Sequence, residues 1–148
     1  MYFVYRIFTN LIILISPIII LFRLIYKKEE LLSISEKFCI YSKKNNLKSI
    51  WFHAASVGEL MSILPIIDKL ERNRKIKQIL VTTTTISSAK IFHRKKFKKT
   101  HHKYYPLDTN FLTNKFIRFW KPQIAIFVDS EIWPNMIENL YFKKIPIV

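Results

Sequence analysis

The chain has 148 residues, 50% of them hydrophobic, with 25 Lys and Arg against 10 Asp and Glu, a formal charge of +15 at pH 7. That length supports one domain with a core of its own, and the charge asks for an anionic partner: nucleic acid, an acidic membrane surface or a phosphorylated substrate. The single cysteine, Cys39, excludes an internal disulfide and any multi-cysteine metal site.

Met1 to Tyr26 is almost wholly apolar, interrupted by Arg6, Asn10, Ser16, Pro17 and Arg23. The uncharged run between the two arginines is 16 residues, a little under the ~20 of an ordinary spanning helix. Arginines at both ends can snorkel to the interfaces and make a short span tolerable. No small-residue cleavage site follows, which argues against a signal peptide. Arg23, Lys27 and Lys28 follow instead, so residues 1–28 read as a retained anchor helix, spanning or monotopic, with the rest of the chain on the cytoplasmic side. Residues 29–48 form a polar connecting segment whose first half is predicted to be an interfacial helix. Lys43-Lys44-Asn45-Asn46 then reads as a turn.

From residue 49 onward strand and helix patterns alternate. Ser49–His53 is an apolar run of strand length. Leu60, Ile63, Leu64, Ile67 and Leu70 recur at helical spacing, with Pro65 expected to kink the helix. Gln78–Thr85 is a β-branched strand, followed by a basic helix over roughly 87–97. A short strand over 102–105 ends in the turn Pro106-Leu107-Asp108. Residues 109–120 carry a helical period in Phe111, Leu112, Phe116 and Phe119. Ile124–Val128 is a buried strand, 133–142 a helix, and 145–148 the start of one more strand. Repeated βα units imply an α/β fold: a parallel sheet with helices on both faces.

The stretch His53-Ala54-Ala55-Ser56-Val57-Gly58-Glu59 holds the chain's one glycine, where a strand turns into a helix. Open α/β sheets bind their ligands at that edge. Locally, Ser56 and Glu59 also spell a capping box, and a capping serine does not stop a glutamate from facing a cleft. Asp129 and Glu131 follow another strand at the same edge, where their carboxylates would converge with Glu59 to give acid/base or hydroxyl-binding capacity. Pro134 then fits the first turn of the next helix. Thr82 to Thr85 offer hydroxyls to a ligand or are there for β-propensity alone. The basic run Arg94-Lys95-Lys96-Phe97-Lys98-Lys99 is a solvated face or an anionic-lipid surface. It comes with no nucleic-acid motif, so no nucleic acid is expected. His101 and His102 have no partners at zinc spacing, so no metal is expected.

Trp51 to Glu59, the Thr-rich strand, Tyr105-Pro106-Leu107-Asp108 and Glu131-Ile132-Trp133-Pro134-Asn135 resemble, in order and spacing, the 3-deoxy-D-manno-octulosonic acid (Kdo) transferases of lipopolysaccharide synthesis. The resemblance covers essentially the whole chain, hydrophobic N-terminus included. It implies a GT-B glycosyltransferase of the inner membrane, with residues 49–148 as an incomplete, Rossmann-like acceptor-side domain. In the family Kdo passes from CMP-Kdo to lipid IVA with inversion, without metal or other cofactor. Glu59 matches the general base and Glu131 a second active-site acid, with Ser56, Gly58, Asp129 and Asn135 on the substrate-binding side. The basic field would meet the two phosphates of lipid IVA.

Two departures and one shortfall qualify the resemblance. Lys37 and Cys39 stand where the family commonly has an arginine and a glycine, and loss of that glycine leaves open whether a turn there is strained. Asp129 replaces a more usual glutamate. The donor-binding C-terminal domain is not in this sequence, so the chain is expected to be inactive alone or completed by a separately encoded half. The alternative is a non-catalytic, membrane-anchored remnant that binds anionic lipid.

Overall fold

The computed structural model describes residues 5, 9, 16, 22, 25, 26, 30–41, 45–128 and 132–148. Most of the predicted anchor, residues 1–28, lies outside the described residues. No helix among those described is long and apolar enough to cross a membrane.

Four parallel strands form the centre: β1 (Ser49–Ala54), β2 (Ile79–Thr83), β3 (Thr100–Tyr104) and β4 (Pro122–Val128), in the order β3-β2-β1-β4. Five helices are described: α1 (Leu31–Lys37), α2 (Val57–Glu71), α3 (Ile86–His93), α4 (Asn110–Trp120) and α5 (Pro134–Phe142). The chain reverses direction across the sheet at β1, so β1 and β4 flank a switch point, as in a Rossmann-like half. Beyond β4, Ile147 bridges Ala125 in parallel, with Val148 N donating to the Ala125 carbonyl at 2.9 Å. The strand expected over 145–148 is therefore present as one bridge on the outer edge of β4.

Period-two alternation divides the core between the two faces. Phe52, Ile79 and Val81 pack with Leu60, Ile63, Leu64 and Ile67 of α2 and Phe92 of α3. Trp51, Leu80 and Ala125 point the other way, onto Phe116, Ile117 and Trp120 of α4 and Met136 and Leu140 of α5. Helix α2 runs unbroken through Pro65. Pro65 and Met61, whose carbonyl loses its usual partner, both lie on the solvent side. In α4 the inward stripe is Leu112, Thr113, Phe116, Ile117 and Trp120, and Phe111 is 74% exposed. Of the expected stripe, Leu112, Phe116 and the half-buried Phe119 face the core and Phe111 does not.

Helix α1 guards the sheet edge. β3 is the outermost strand on its side, and an open strand edge invites foreign pairing. Glu36, buried on α1, accepts from Tyr104 N at 3.0 Å and pairs with Lys103. The helix ends in a Schellman motif: Cys39 N donates to the Glu36 carbonyl at 2.9 Å and Ile40 N to that of Ser35 at 2.8 Å. The motif puts Cys39 in the left-handed region at φ 54°, where glycine is the ordinary residue. A Cβ in that conformation costs about 1–2 kcal/mol, which answers a point the sequence leaves open. Cys39 is 1% exposed, its thiol donates to the Leu112 carbonyl at 3.4 Å, and burial pushes its pKa up to about 11.

Candidate active site

The carboxyl ends of β1 and β4 come out side by side, because Ala54 pairs with Val128 in register. After Ala54 the chain turns through Ala55 and Ser56 into α2. Ser56 Oγ accepts from Glu59 N at 3.2 Å, and the Glu59 carboxylate accepts from Ala55 N at 2.8 Å and Ser56 N at 3.2 Å. The capping box is complete. A carboxylate offers about four acceptor directions. Two are used among the described residues, and Glu59 is half-buried at the sheet edge.

Gly58 does not make the turn. It is the second residue of α2, its φ is not positive, and a Cβ placed on it would meet only Ser56 Oγ, at 4.0 Å. What Gly58 provides is open space beside Ser56 and Glu59.

The threonines are committed internally. Thr82 Oγ1 lies 2.9 Å from both Trp51 Nε1 and His53 Nδ1. Thr83 Oγ1 lies 2.8 Å from His102 Nε2, Thr84 donates to the Ala55 carbonyl at 2.8 Å, and Thr85 caps α3. All four hydroxyls serve the fold. Burial pushes His53 down to about 4 against a smaller upward pull from Thr82, and His53 stacks on Tyr105 at 4.1 Å. It is a neutral member of an aromatic floor that continues to Trp133, 5.2 Å from Tyr105.

Asp129 and Glu131 lie outside the described residues. The two flanks of their segment are fixed: Val128 on β4, and α5 from Pro134. Asn135 is 1% exposed, with Nδ2 donating to the Asp108 carbonyl at 2.7 Å. Asp108, from the loop after β3, accepts from Asn135 N at 3.0 Å and Met136 N at 2.9 Å. The turn reading of Pro106-Leu107-Asp108 did not assign this carboxylate. The available signal was Thr109, which caps its own helix and leaves its neighbour free for another.

The basic run sits elsewhere. Helix α3 starts at the carboxyl end of β2, and residues 94–99 lead into the amino end of β3. Glu71, closing α2 at that edge, accepts from Lys98 N and Lys99 N, and Lys95 pairs with Asp68 at 3.3 Å. Twelve helical residues separate Glu59 from Glu71, roughly 18 Å at 1.5 Å each. The Arg94–Lys99 run therefore lies toward the opposite end of α2 from Glu59.

A four-stranded parallel α/β sheet with a switch point between β1 and β4 is a Rossmann-like half, and sheets of this kind bind ligands at the carboxyl edge, where Glu59 sits. The family model described as 3-Deoxy-D-manno-octulosonic-acid transferase (kdotransferase) matches residues 32–148. The chain is 38% identical over 138 residues to the 3-deoxy-D-manno-octulosonic acid transferase of Rickettsia bellii, covering 90% of this chain and 33% of that protein. It is 34% identical over 139 residues to the probable mitochondrial 3-deoxy-D-manno-octulosonic acid transferase of Arabidopsis thaliana, covering 91% and 31%. It is 34% identical over 101 residues to the Haemophilus influenzae transferase, covering 68% and 24%. The chain belongs to the Kdo transferase family, and it spans about a third or less of the length of these relatives.

Proposed function

We propose that these residues form the acceptor side of a GT-B Kdo transferase that moves Kdo from CMP-Kdo to lipid IVA, with inversion and without metal. Glu59 takes the proton from the acceptor hydroxyl as that oxygen attacks the anomeric carbon, and CMP leaves with the bonding electrons. Glu131 is the second acid, and Ser56, Gly58 and Asp129 line the acceptor. Asn135, buried in the first turn of α5, contributes through its bond to the Asp108 carbonyl. Residues 1–28 anchor the chain at the inner membrane with residues 49–148 on the cytoplasmic side. Residues 29–48 connect the two, and a donor-binding domain, in cis or in trans, completes the cleft. The observation that carries this reading is the Glu59 carboxylate, fixed by two backbone amides and half-open at the edge where β1 meets β4.

The test is Glu59→Gln in the transferase completed with its donor domain. Losing a positioned base lowers transfer by about 10²–10⁴-fold, while lipid IVA binding persists. Undiminished transfer would end the assignment. The purified chain alone is expected to show no transfer, and a measurable rate would show that no further domain is needed.

A second reading is favoured by the cations at the amino edge: a non-catalytic protein binding anionic lipid. Under it, neutralising Arg94, Lys96 and Lys98 weakens binding to anionic vesicles and Glu59→Gln does not.

A further inference from the structure

We propose that the groove at the amino edge of the sheet, between the ends of α4 and α5 and the start of β4, binds a ligand carrying two or more phosphates. The groove lies apart from Glu59, and the proposal does not rest on the transfer reading.

The groove has a volume of about 440 Å³, and Lys48, Arg118, Lys121, Lys143 and Lys144 stand in its wall with no carboxylate among them. All five cations are exposed. They come from three separate parts of the chain: the lead into β1, the end of α4 and the end of α5. The size suits a small ligand rather than a single ion, and the charge suits a polyanion.

Cations at helix C-termini are ordinary, because they offset the macrodipole. That accounts for little of this charge. The ends of α4 and α5 each amount to about −0.5 charge, about −1 together, against five formal positive charges. Carboxylates of the fold do not absorb the rest. In the Arg94–Lys99 run, Lys95 pairs with Asp68, and Lys99 Nζ donates to the Asn73 and Ile76 carbonyls. None of the five groove cations makes an ion pair or a side-chain hydrogen bond among the described residues. The two clusters are also separate in space. The Arg94–Lys99 run leads into β3, and β3 and β4 are the outer strands of the sheet, three spacings of about 4.8 Å apart.

The cations stand on fixed backbone. Lys121 N donates to the Ile117 carbonyl at 2.9 Å, and the Lys121 carbonyl accepts from Ser49 N at 3.2 Å. Lys143 N and Lys144 N donate to the Asn139 and Tyr141 carbonyls at 3.2 and 2.9 Å. A site held in this way spends little ordering energy on its ligand. Lys121 and Lys144 are both left-handed, at φ 47° and 55°, where glycine carries no cost. With one glycine in 148 residues, a single left-handed lysine carries little weight. Two of them lining one groove, beside three more cations, fit a bound polyanion.

The experiment titrates inorganic pyrophosphate into the full 148-residue chain in detergent at low salt, by calorimetry. It compares Lys121→Gln/Lys144→Gln with Lys69→Gln/Lys90→Gln, which removes the same charge from α2 and α3 on the other face of the sheet. The unmodified chain and the Lys69/Lys90 pair are expected to bind alike, and the groove pair at least about tenfold more weakly. No binding by the unmodified chain overturns the proposal. So does unchanged affinity in the groove pair, and so do equal losses in both pairs, which would be a response to net charge alone. If the glutamine pair does not fold, Lys121→Gly/Lys144→Gly carries the test. Glycine suits both backbones, so this pair is expected to unfold at an equal or higher temperature while losing pyrophosphate to the same extent. A capping role would not give that split, and retained affinity overturns the proposal. Vesicles of cardiolipin in phosphatidylcholine separate the two sources of phosphate. Vesicle binding that falls in the groove pair and is displaced by pyrophosphate assigns the groove to lipid headgroups. Vesicle binding that the groove pair leaves unchanged, with pyrophosphate lost, assigns it to a soluble polyphosphate.

Discussion

The hydroxyl of Tyr5 donates a 2.8 Å hydrogen bond to Asp108 Oδ2, joining residues 103 positions apart. Tyr5 belongs to the stretch expected to serve as an anchor, and Asp108 holds the start of α5. Tyr5 is therefore tied to the loop that follows β3. A hydrogen bond to a charged acceptor contributes about 1.5–3 kcal/mol, so Tyr5→Phe should destabilise the detergent-solubilised chain by about that amount. In an Asp108→Asn background the same substitution should cost much less, because its charged partner has gone. Thermal unfolding of the four chains in that cycle measures the coupling. Equal costs in both backgrounds would show that the contact carries no energy.

Cys39 reverses the usual order of alanine and glycine. At an ordinary helical position alanine is preferred by roughly 1 kcal/mol. At φ 54° a Cβ costs about 1–2 kcal/mol, and glycine carries no such cost. Cys39→Ala keeps the strain and loses the buried sulfur and its bond to Leu112. Cys39→Gly loses the same contacts and sheds the strain. Urea unfolding should rank Cys39→Gly above Cys39→Ala by about 0.5–1 kcal/mol, after the greater unfolded-state freedom of glycine is counted. The opposite ranking would mean that the turn relaxes around the cysteine without cost.

The alternation of apolar runs and helical spacing was enough to place the four strands, because β1, β2 and β4 carry largely apolar runs, while β3, Thr-His-His-Lys-Tyr, was placed less closely. Glu59 and Ser56 were legible for the same local reason: a capping box is written within four residues. Asp108 was not, because its partners are 27 and 28 positions away and its neighbour Thr109 satisfies the local rule. The α4 stripe was misread at Phe111 alone, which faces solvent while Phe119 packs against the core, since hydrophobicity alone does not choose between adjacent apolar positions on a helix. The run from Arg94 to Lys99 was legible as charge. Its edge of the sheet follows only from counting the helix before it, and that count places it away from Glu59.

Gly58 separates folding from binding. A methyl group at this position meets only Ser56 Oγ, at 4.0 Å, and replaces a residue that disfavours helix by up to about 1 kcal/mol. Gly58→Ala should therefore leave stability unchanged or raise it slightly, by thermal unfolding. The same methyl fills the space beside Glu59, so lipid IVA affinity should fall. Lower stability would mean that the glycine is needed by the backbone, and unchanged affinity would remove Gly58 from the ligand's path.

Acid should unfold the domain in a window set by four groups: Glu71, His53, His102 and His101, whose imidazole is held below its ordinary value by burial and then by Lys103. His53 and His102 are held down to about 4 and about 3, His53 by burial and His102 by burial with His93 and Lys103 nearby. Each is neutral in the fold and takes up a proton near 6.5 once unfolded. Their contribution is complete above pH 6.5 and is lost as the pH falls toward their folded values. Burial opposes the charge of Glu71, but bonds from Thr100 and from the Lys99 and Lys98 amides outweigh it and hold the carboxyl below its ordinary 4.5. Its contribution is present above 4.5 and is lost as the pH falls through its lowered value. Stability measured by urea should therefore be level above pH 6.5, decline from there to 4.5 on the histidines alone, and fall further below. At about 1.4 kcal/mol per pKa unit, the histidines together represent a few kcal/mol. His102→Gln should flatten part of the decline between pH 6.5 and 4.5 without altering the Glu71 step. A wild-type profile already flat across that interval would mean that neither imidazole is as deeply excluded from water as its position requires.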